Sequence, residues 1–162
     1  MSTPFTPTNP FVLPAMTLSS DGTYLQSSAT FPGSGLPDTE QIVVTSTIAP
    51  AYAWTVSVSA TPLTSGSNTI PASGLGLTNG TLLNSSGTGA FSGTVSFTDI
   101  PALNPSLVDG PGTGPGLSST PQTFATTTAA DGTAVLDATL TLDAATSTPA
   151  GTYNGTIDFS VS

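Results

Sequence analysis

Residues 51–60 read Ala-Tyr-Ala-Trp-Thr-Val-Ser-Val-Ser-Ala and contain the only tryptophan of the chain, Trp54. Tyr52, Trp54, Val56 and Val58 alternate with small or hydroxylated residues, a period of two that is typical of a strand with one buried and one solvated face. A tryptophan is the largest apolar group that a core can hold, so we expect other strands to pack around it. Predicted core partners on other strands are Phe91, Phe97, Ile157 and Phe159.

Further strand signals lie on both sides of this stretch. We predict strands at 23–31, 40–48, 90–100, 122–129, 133–142 and 152–161, with a short and broken strand within 75–83 and a connection at 61–74. Asp131-Gly132 predicts a hairpin between the strands that flank it. In the strand at 133–142 we expect the alternating apolar residues to be buried. Asp137 and Asp143 are expected on the outer face.

The strand count and the turn residues predict the fold class. About seven to nine strands without a helix favour an all-β, antiparallel, immunoglobulin-like β-sandwich. Within one strand, Tyr153, Gly155, Ile157, Phe159 and Val161 are expected on the buried face. We assign residues 18–162 to this single domain, which has a long Gly/Pro-rich loop at 101–121.

Residues 1–17 differ from the domain in composition. Pro4, Pro7, Pro10 and Pro14 disfavour a helix and a central strand, yet apolar residues lie between them. We interpret this segment as an extended arm that docks on its own domain or on a neighbour. The residues predicted to contact a partner, in the arm and in the long loop, are Phe5, Phe11, Val12, Leu13, Leu107 and Val108.

The charge composition excludes several functions. The 162 residues include no Lys, Arg, His or Cys, and nine acidic residues give a formal net charge of −9. Binding of nucleic acid or of an anionic membrane relies on Lys and Arg, so neither is expected. No stretch is apolar enough to insert into a membrane. Disulfides, cysteine zinc sites, Ser-His-Asp triads and Schiff-base lysines are excluded by the missing residue types.

Only carboxylates remain for acid–base catalysis. They are Asp21, Asp38, Glu40, Asp99, Asp109, Asp131, Asp137, Asp143 and Asp158. Several precede glycine and are typical of turns, and no aspartic-protease signature is present, so we predict no catalytic residue and no enzyme. Asp38 with Glu40, or Asp109, could contribute calcium ligands, but no spaced acidic loop exists, and we predict neither a metal nor a cofactor.

Two stretches resemble a known family. Ala-Trp-Thr-Val-Ser-Val at 53–58, followed by 63–71, is similar to the tryptophan-centred segment of WxL-like surface domains of Gram-positive bacteria. Residues 148–157 resemble the closing hairpin of those domains and of other bacterial immunoglobulin-like modules. The resemblance implies a β-sandwich attached to a cell envelope. In this chain valine replaces the leucine of the motif.

The beginning of the sequence suggests another setting. Met-Ser-Thr-Pro-Phe-Thr-Pro shows no basic or apolar region of a signal peptide, so either a signal was removed or Met1 is the natural start. The second case suits a phage virion, where immunoglobulin-like sandwiches serve as capsid decoration or tail proteins. We therefore expect a structural, self-associating protein on the virion surface that contacts other virion proteins. The alternative is an extracellular adhesion or wall-binding module on the bacterial cell surface.

Overall fold

A computed structural model describes residues 10–32, 42–46, 51–83, 91–105 and 114–162. These residues form antiparallel β-sheets, which confirms the predicted all-β class. The strands found in them are β1 Thr17–Leu18, β2 Tyr24–Phe31, β3 Ile42–Ser46, β4 Tyr52–Ala60, β5 Leu63–Ser65, β6 Asn68–Ile70, β7 Leu75–Leu83, β8 Ser96–Phe97, β9 Gln122–Ala130, β10 Gly132–Ala145 and β11 Ile157–Val161. A 3-10 turn, Ala72–Gly74, precedes β7.

The first sheet is built around β10, its longest strand. One edge of β10 pairs with β7, and its other edge pairs with β2 and then with β3. Phe31 lies opposite Ala138 and Ile42 lies opposite Leu136, so β2 and β3 run in one line along the same edge. Between these two pairs, Asp137 has no partner in β2 or β3.

The second sheet has the order β11-β4-β9-β8, which makes the Trp54 strand an inner strand. β4 pairs with β11 on one side and with β9 on the other. The small hairpin β5-β6 continues from the end of β4. Because β4 has a neighbouring strand on both edges, its side chains from Trp54 to Ala60 alternate between the core and the outer face.

The inner faces of the two sheets enclose one hydrophobic core. The second sheet contributes Trp54, Val56 and Val58, which are 6%, 0% and 0% exposed. Phe91, Phe97, Ile157 and Phe159 lie half-buried against this cluster. The rings of Phe31 in the first sheet and Phe159 in the second stack with centroids 5.9 Å apart, so aromatic contacts join the two layers.

The predicted hairpin between β9 and β10 is wrong. β9 pairs with β4 and β8 in the second sheet, whereas β10 belongs to the first. At Asp131-Gly132 the chain instead crosses from one layer to the other. Gly132 adopts a φ of 91°, and its N–H donates to the Asp131 carboxylate at 2.8 Å. The dipeptide therefore makes a tight turn, as predicted, but it joins two sheets rather than two neighbours.

Four strand assignments also differ from the prediction. The last strand begins at Ile157, not at residue 152. Of the predicted strand at 90–100, the described residues 91–100 contain β8 alone, and isolated bridges connect Ser92 to Asp131 and Ile100 to Leu77. The predicted connection at 61–74 contains the β5-β6 hairpin. β7 is a continuous strand, because a register shift opposite Asp137 and Thr139 accommodates Asn79, whose φ is 53°.

Three predicted core-facing residues lie at the surface. Gly155 is exposed because it precedes β11 and is not part of a strand. Tyr52 is 54% exposed, because the ladder between β4 and β9 shifts register between Tyr52 and Trp54 and the alternation is not continued. Val161 is 41% exposed at the end of β11, an outermost strand. Position at the end of a strand or at the edge of a sheet cannot be read from a period of two.

Candidate docking surfaces

The described part of the N-terminal arm, residues 10–16, lies against the chain's own domain. The Phe11 ring meets the Phe31 ring edge-on, with centroids 4.9 Å apart. Leu13 and Met16 are half-buried against the core. The Ser27 hydroxyl donates to the Pro14 carbonyl at 2.7 Å, which holds the arm beside β2. The assigned arm ends within β1, since Thr17 pairs with Gln26.

This packing revises the list of partner-docking residues. Phe11 and Leu13 place their apolar surface mainly on their own core, because Phe31 and its neighbours offer an apolar edge there. Val12 points away and is 77% exposed, the largest fraction of the exposed apolar side chains in the described residues. Phe5, Leu107 and Val108 lie outside the described residues. Val12 is therefore the docking candidate whose side chain the structure shows to be available.

The long loop at 101–121 is fastened at both of its described ends. The Leu103 N–H donates to the Ser73 carbonyl and the Leu117 N–H donates to the Leu75 carbonyl, each at 2.8 Å. Leu117 is fully buried. Leu103 is 37% exposed. The loop thus starts and ends beside β7, and Leu117 is its apolar anchor.

A shallow groove separates the arm from β2. Its volume is about 260 Å³. It is lined by Pro14, Ala15, Thr17, Gln26, Ser27 and Ser28. The polar members supply hydroxyl and amide groups but no charge. The groove therefore offers hydrogen bonds, and no charged side chain lies among its lining residues.

The outer face of the second sheet is covered with hydroxyl groups. Thr55, Ser57 and Ser59 alternate with the buried residues of β4. Their cross-strand neighbours continue the pattern and are Thr126, Thr123, Ser160 and Asp158. Asp158 is the one charged residue of this group and is exposed. Hydroxyls can form hydrogen bonds with a neighbouring surface without leaving unpaired charges buried, so this face is suited to close packing.

Several carboxylates hold turns and bulges. The Asp21 carboxylate accepts hydrogen bonds from the hydroxyls of Ser19 and Thr23 at 2.6 and 2.8 Å, which lower its pKa, with the Ser19 bond contributing most. The Asp99 carboxylate accepts the N–H of Asn79 at 2.9 Å and so fixes the irregular residue of β7. Both acids have structural partners, and Asp21 forms a turn, as predicted.

Asp137 and Asp143 contradict the prediction that they lie on a solvated outer face. They are only 4% and 7% exposed, because β10 is flanked on both edges and the neighbouring strands surround these side chains. The Asp137 carboxylate accepts the N–H of Ala138 at 2.7 Å, and the Asp143 carboxylate accepts a hydrogen bond from Gln26 at 3.3 Å. Burial raises the pKa of both carboxyls.

The described residues contain no group of three or more acidic side chains placed to hold a metal ion. Asp38, Glu40 and Asp109, the calcium candidates, lie outside those residues. The same described residues contain no helix with the length and apolarity that crossing a bilayer requires. The candidate sites in the described residues are therefore surfaces: the arm around Val12, the hydroxyl face and the outer edge of β11.

The outer edge of β11 was missed from the sequence. The strand itself was predicted, but its position at the end of the second sheet follows only from the pairing of β4 with both β11 and β9. No local signal in the sequence indicates this position, because long-range pairing decides the order of strands in a sheet.

Comparison of the chain with family models, with curated proteins and with solved structures gives no match.

Proposed function

We propose that the chain is a non-enzymatic structural protein of a phage virion, a capsid decoration or another exterior subunit, which docks on the particle and self-associates. The observation that carries the proposal is the arm: it lies on its own domain through Phe11 and presents Val12 to solvent. Such a segment can contact a neighbour without unfolding the domain that displays it.

The surface chemistry supports the same function. With nine acidic and no basic residues, the chain has no means to form side-chain salt bridges with other copies of itself. Contacts between subunits must therefore use apolar groups and neutral hydrogen bonds. The hydroxyl face of the second sheet and the exposed Val12 provide these two kinds of group.

The rival function is a bacterial cell-surface module, and it depends on the resemblance to WxL-like domains. Trp54 and Val56, the central residues of that resemblance, are 6% and 0% exposed in the core. They therefore support the sandwich fold and are not available to bind a cell wall. For this reason we favour the virion function.

A pair of variants separates docking from folding. Val12→Asp places a charge on an exposed side chain, so the free energy of unfolding should change by less than about 0.5 kcal/mol. Attachment to particles that lack the chain should fall at least about tenfold, because a desolvated, unpaired charge opposes the contact. Phe11→Ala, the matched variant, should lower the free energy of unfolding by about 1–3 kcal/mol.

Attachment is measured by co-sedimentation of the purified chain with such particles and, in parallel, with Gram-positive cell walls. Equal attachment of Val12→Asp and the unchanged chain would refute docking through the arm. Binding to cell walls but not to particles would replace the virion function with the cell-surface alternative.

A further inference from the structure

β11 has one edge without a partner among the described residues. It pairs with β4 only. Ser162 and Thr55 exchange both backbone hydrogen bonds, at 2.8 and 3.0 Å. Because such pairs alternate along an antiparallel ladder, Ser160 and Asp158 also direct their backbone groups toward β4. The backbone N–H and C=O groups of Ile157, Phe159 and Val161 therefore point to the open edge.

This edge lacks the features that usually prevent strands from pairing. β11 has five residues, a regular register with β4, and no Pro or Lys. Its one charge, Asp158, is on the outer face of the sheet and does not block the edge. β1 and β8 are only two residues long, and the segments flanking β3 lie outside the described residues. Among the described strands, β11 is thus the best-defined open edge.

We propose that β11 pairs antiparallel with β11 of a second copy of this chain, about a two-fold axis at Phe159. In this register Phe159 lies opposite Phe159 of the partner subunit, and Ile157 lies opposite Val161 of the partner subunit. Each of these pairs is of the type that exchanges two hydrogen bonds, so every outward backbone group of both strands is satisfied. The second sheets of two copies become one continuous sheet.

The side chains fit the same register. Val161, 41% exposed, gains an apolar neighbour in Ile157 of the partner subunit. The Phe159 rings meet at the axis and extend the stack that each makes with Phe31. Asp158 lies opposite Ser160 of the partner subunit, so the two carboxylates are diagonal neighbours and a hydroxyl faces each of them. A slip by one residue would direct the wrong backbone groups across the edge, and an axis at Asp158 would place the two carboxylates directly opposite each other.

The pairing gives a surface for the self-association in the proposed function, and it does not depend on the virion. An interface of one short strand is small, so we expect a dissociation constant on the order of 100 µM. Docking on a particle would raise the local concentration of the chain and favour the pairing there.

Charged substitutions at Ser160 test the proposed pairing of β11 with its copy. Ser160→Lys places an ammonium opposite Asp158 of the partner subunit twice per dimer, which should tighten dimerisation about 2- to 30-fold. Ser160→Asp places like charges opposite each other and should weaken it by a similar factor. Sedimentation equilibrium of the full chain, up to about 1 mM, measures both. Thr128→Lys, at an exposed position of β9, controls for a general effect of adding a cation to an acidic protein.

The double variant Asp158→Asn/Ser160→Lys should not dimerise more tightly than the unchanged chain, because the lysine then faces a neutral amide. Val161→Pro removes an outward N–H while leaving the bonds to β4 intact, and should abolish dimerisation. Equal dissociation constants for the Lys and Asp variants, or a chain that stays monomeric at 1 mM, would overturn the proposal. Attachment to particles is measured separately, so failure of the dimer and failure of the virion function are distinguishable.

Discussion

At the residue scale, the hydroxyl of Thr127 is an unusual feature of the core. It is buried opposite Trp54 and has no hydrogen-bond partner within the described part of the chain. A buried polar group without a partner costs about 1–3 kcal/mol of desolvation free energy. Thr127 lies on β9 and therefore weakens the core beside Trp54 of β4.

Thr127→Val replaces the hydroxyl with a methyl group of nearly the same size. We expect the free energy of unfolding to rise by about 1 kcal/mol, because the unsatisfied group is removed without creating a cavity. Urea denaturation measures the change. Thr126→Val, at the half-exposed neighbour on the outer face, is the control and should change stability by less than about 0.5 kcal/mol. A loss of stability in Thr127→Val would mean that the hydroxyl has a partner.

Asp137 and Asp143 make stability depend on pH. Burial raises the pKa of both carboxyls in the folded chain above the unfolded value of about 3.9. The folded state then holds more protons in the window just above that value, and its stabilisation by protonation is lost as the pH rises through the folded pKa. We expect the free energy of unfolding to increase when the pH is lowered from 7 toward about 4.5.

The double variant Asp137→Asn/Asp143→Asn isolates this contribution from the general repulsion among acidic groups. It should be more stable than the unchanged chain at pH 7 and should show a flatter dependence on pH. Denaturation at several pH values between 7 and about 4.5 tests this, above the range where protonation of Asp21, whose pKa is lowered, would act in the opposite direction. An unchanged slope would show that the two carboxyls are solvated.

At the element scale, β4 shows what an alternating pattern predicts and what it does not. The period of two placed Trp54, Val56 and Val58 in the core correctly, because burial follows directly from alternation on a paired strand. It failed at Tyr52, where a register shift interrupts the ladder. The hairpin at Asp131-Gly132 failed for a related reason: turn residues determine local geometry, while the sheet that a strand enters is decided by long-range packing.

The same limit applies to the candidate surfaces. The arm could be predicted because prolines with interspersed apolar residues are a local signal. No local signal shows which of Phe11 and Val12 faces the core. Burial of Asp137 depends on β2, β3 and β7 together, three strands that are distant in sequence. The open edge of β11 depends on the order of the whole second sheet.

The strand itself is tested by Trp54→Ala. We expect a loss of about 3–5 kcal/mol in the free energy of unfolding, because the indole is 6% exposed and its removal leaves a cavity. Tyr52→Ala, in the same strand with a side chain that is 54% exposed, is the matched control and should cost less than about 1 kcal/mol. A stable Trp54→Ala variant that has lost only a binding activity would return Trp54 to the functional candidates.

At the scale of the whole molecule, the chain is an acidic, hydroxyl-rich sandwich. Its two candidate contact surfaces are the arm and the open edge of β11. Phe11 packs on Phe31, and Phe31 stacks on Phe159 of β11, so the arm and the open edge belong to one side of the sandwich. A subunit that docks through the arm can therefore present β11 to its neighbour. Docking and self-pairing would then support each other on a particle surface.

The most direct test of the proposed β11 pairing is amide hydrogen exchange of the full chain at low and high protein concentration. The amides of Asp158 and Ser160, bonded to β4, should be protected at both concentrations. The amides of Ile157, Phe159 and Val161 should exchange rapidly at about 10 µM and become protected at about 1 mM, as β11 pairs with its copy. Exchange of these three amides that does not depend on concentration would contradict the proposed association.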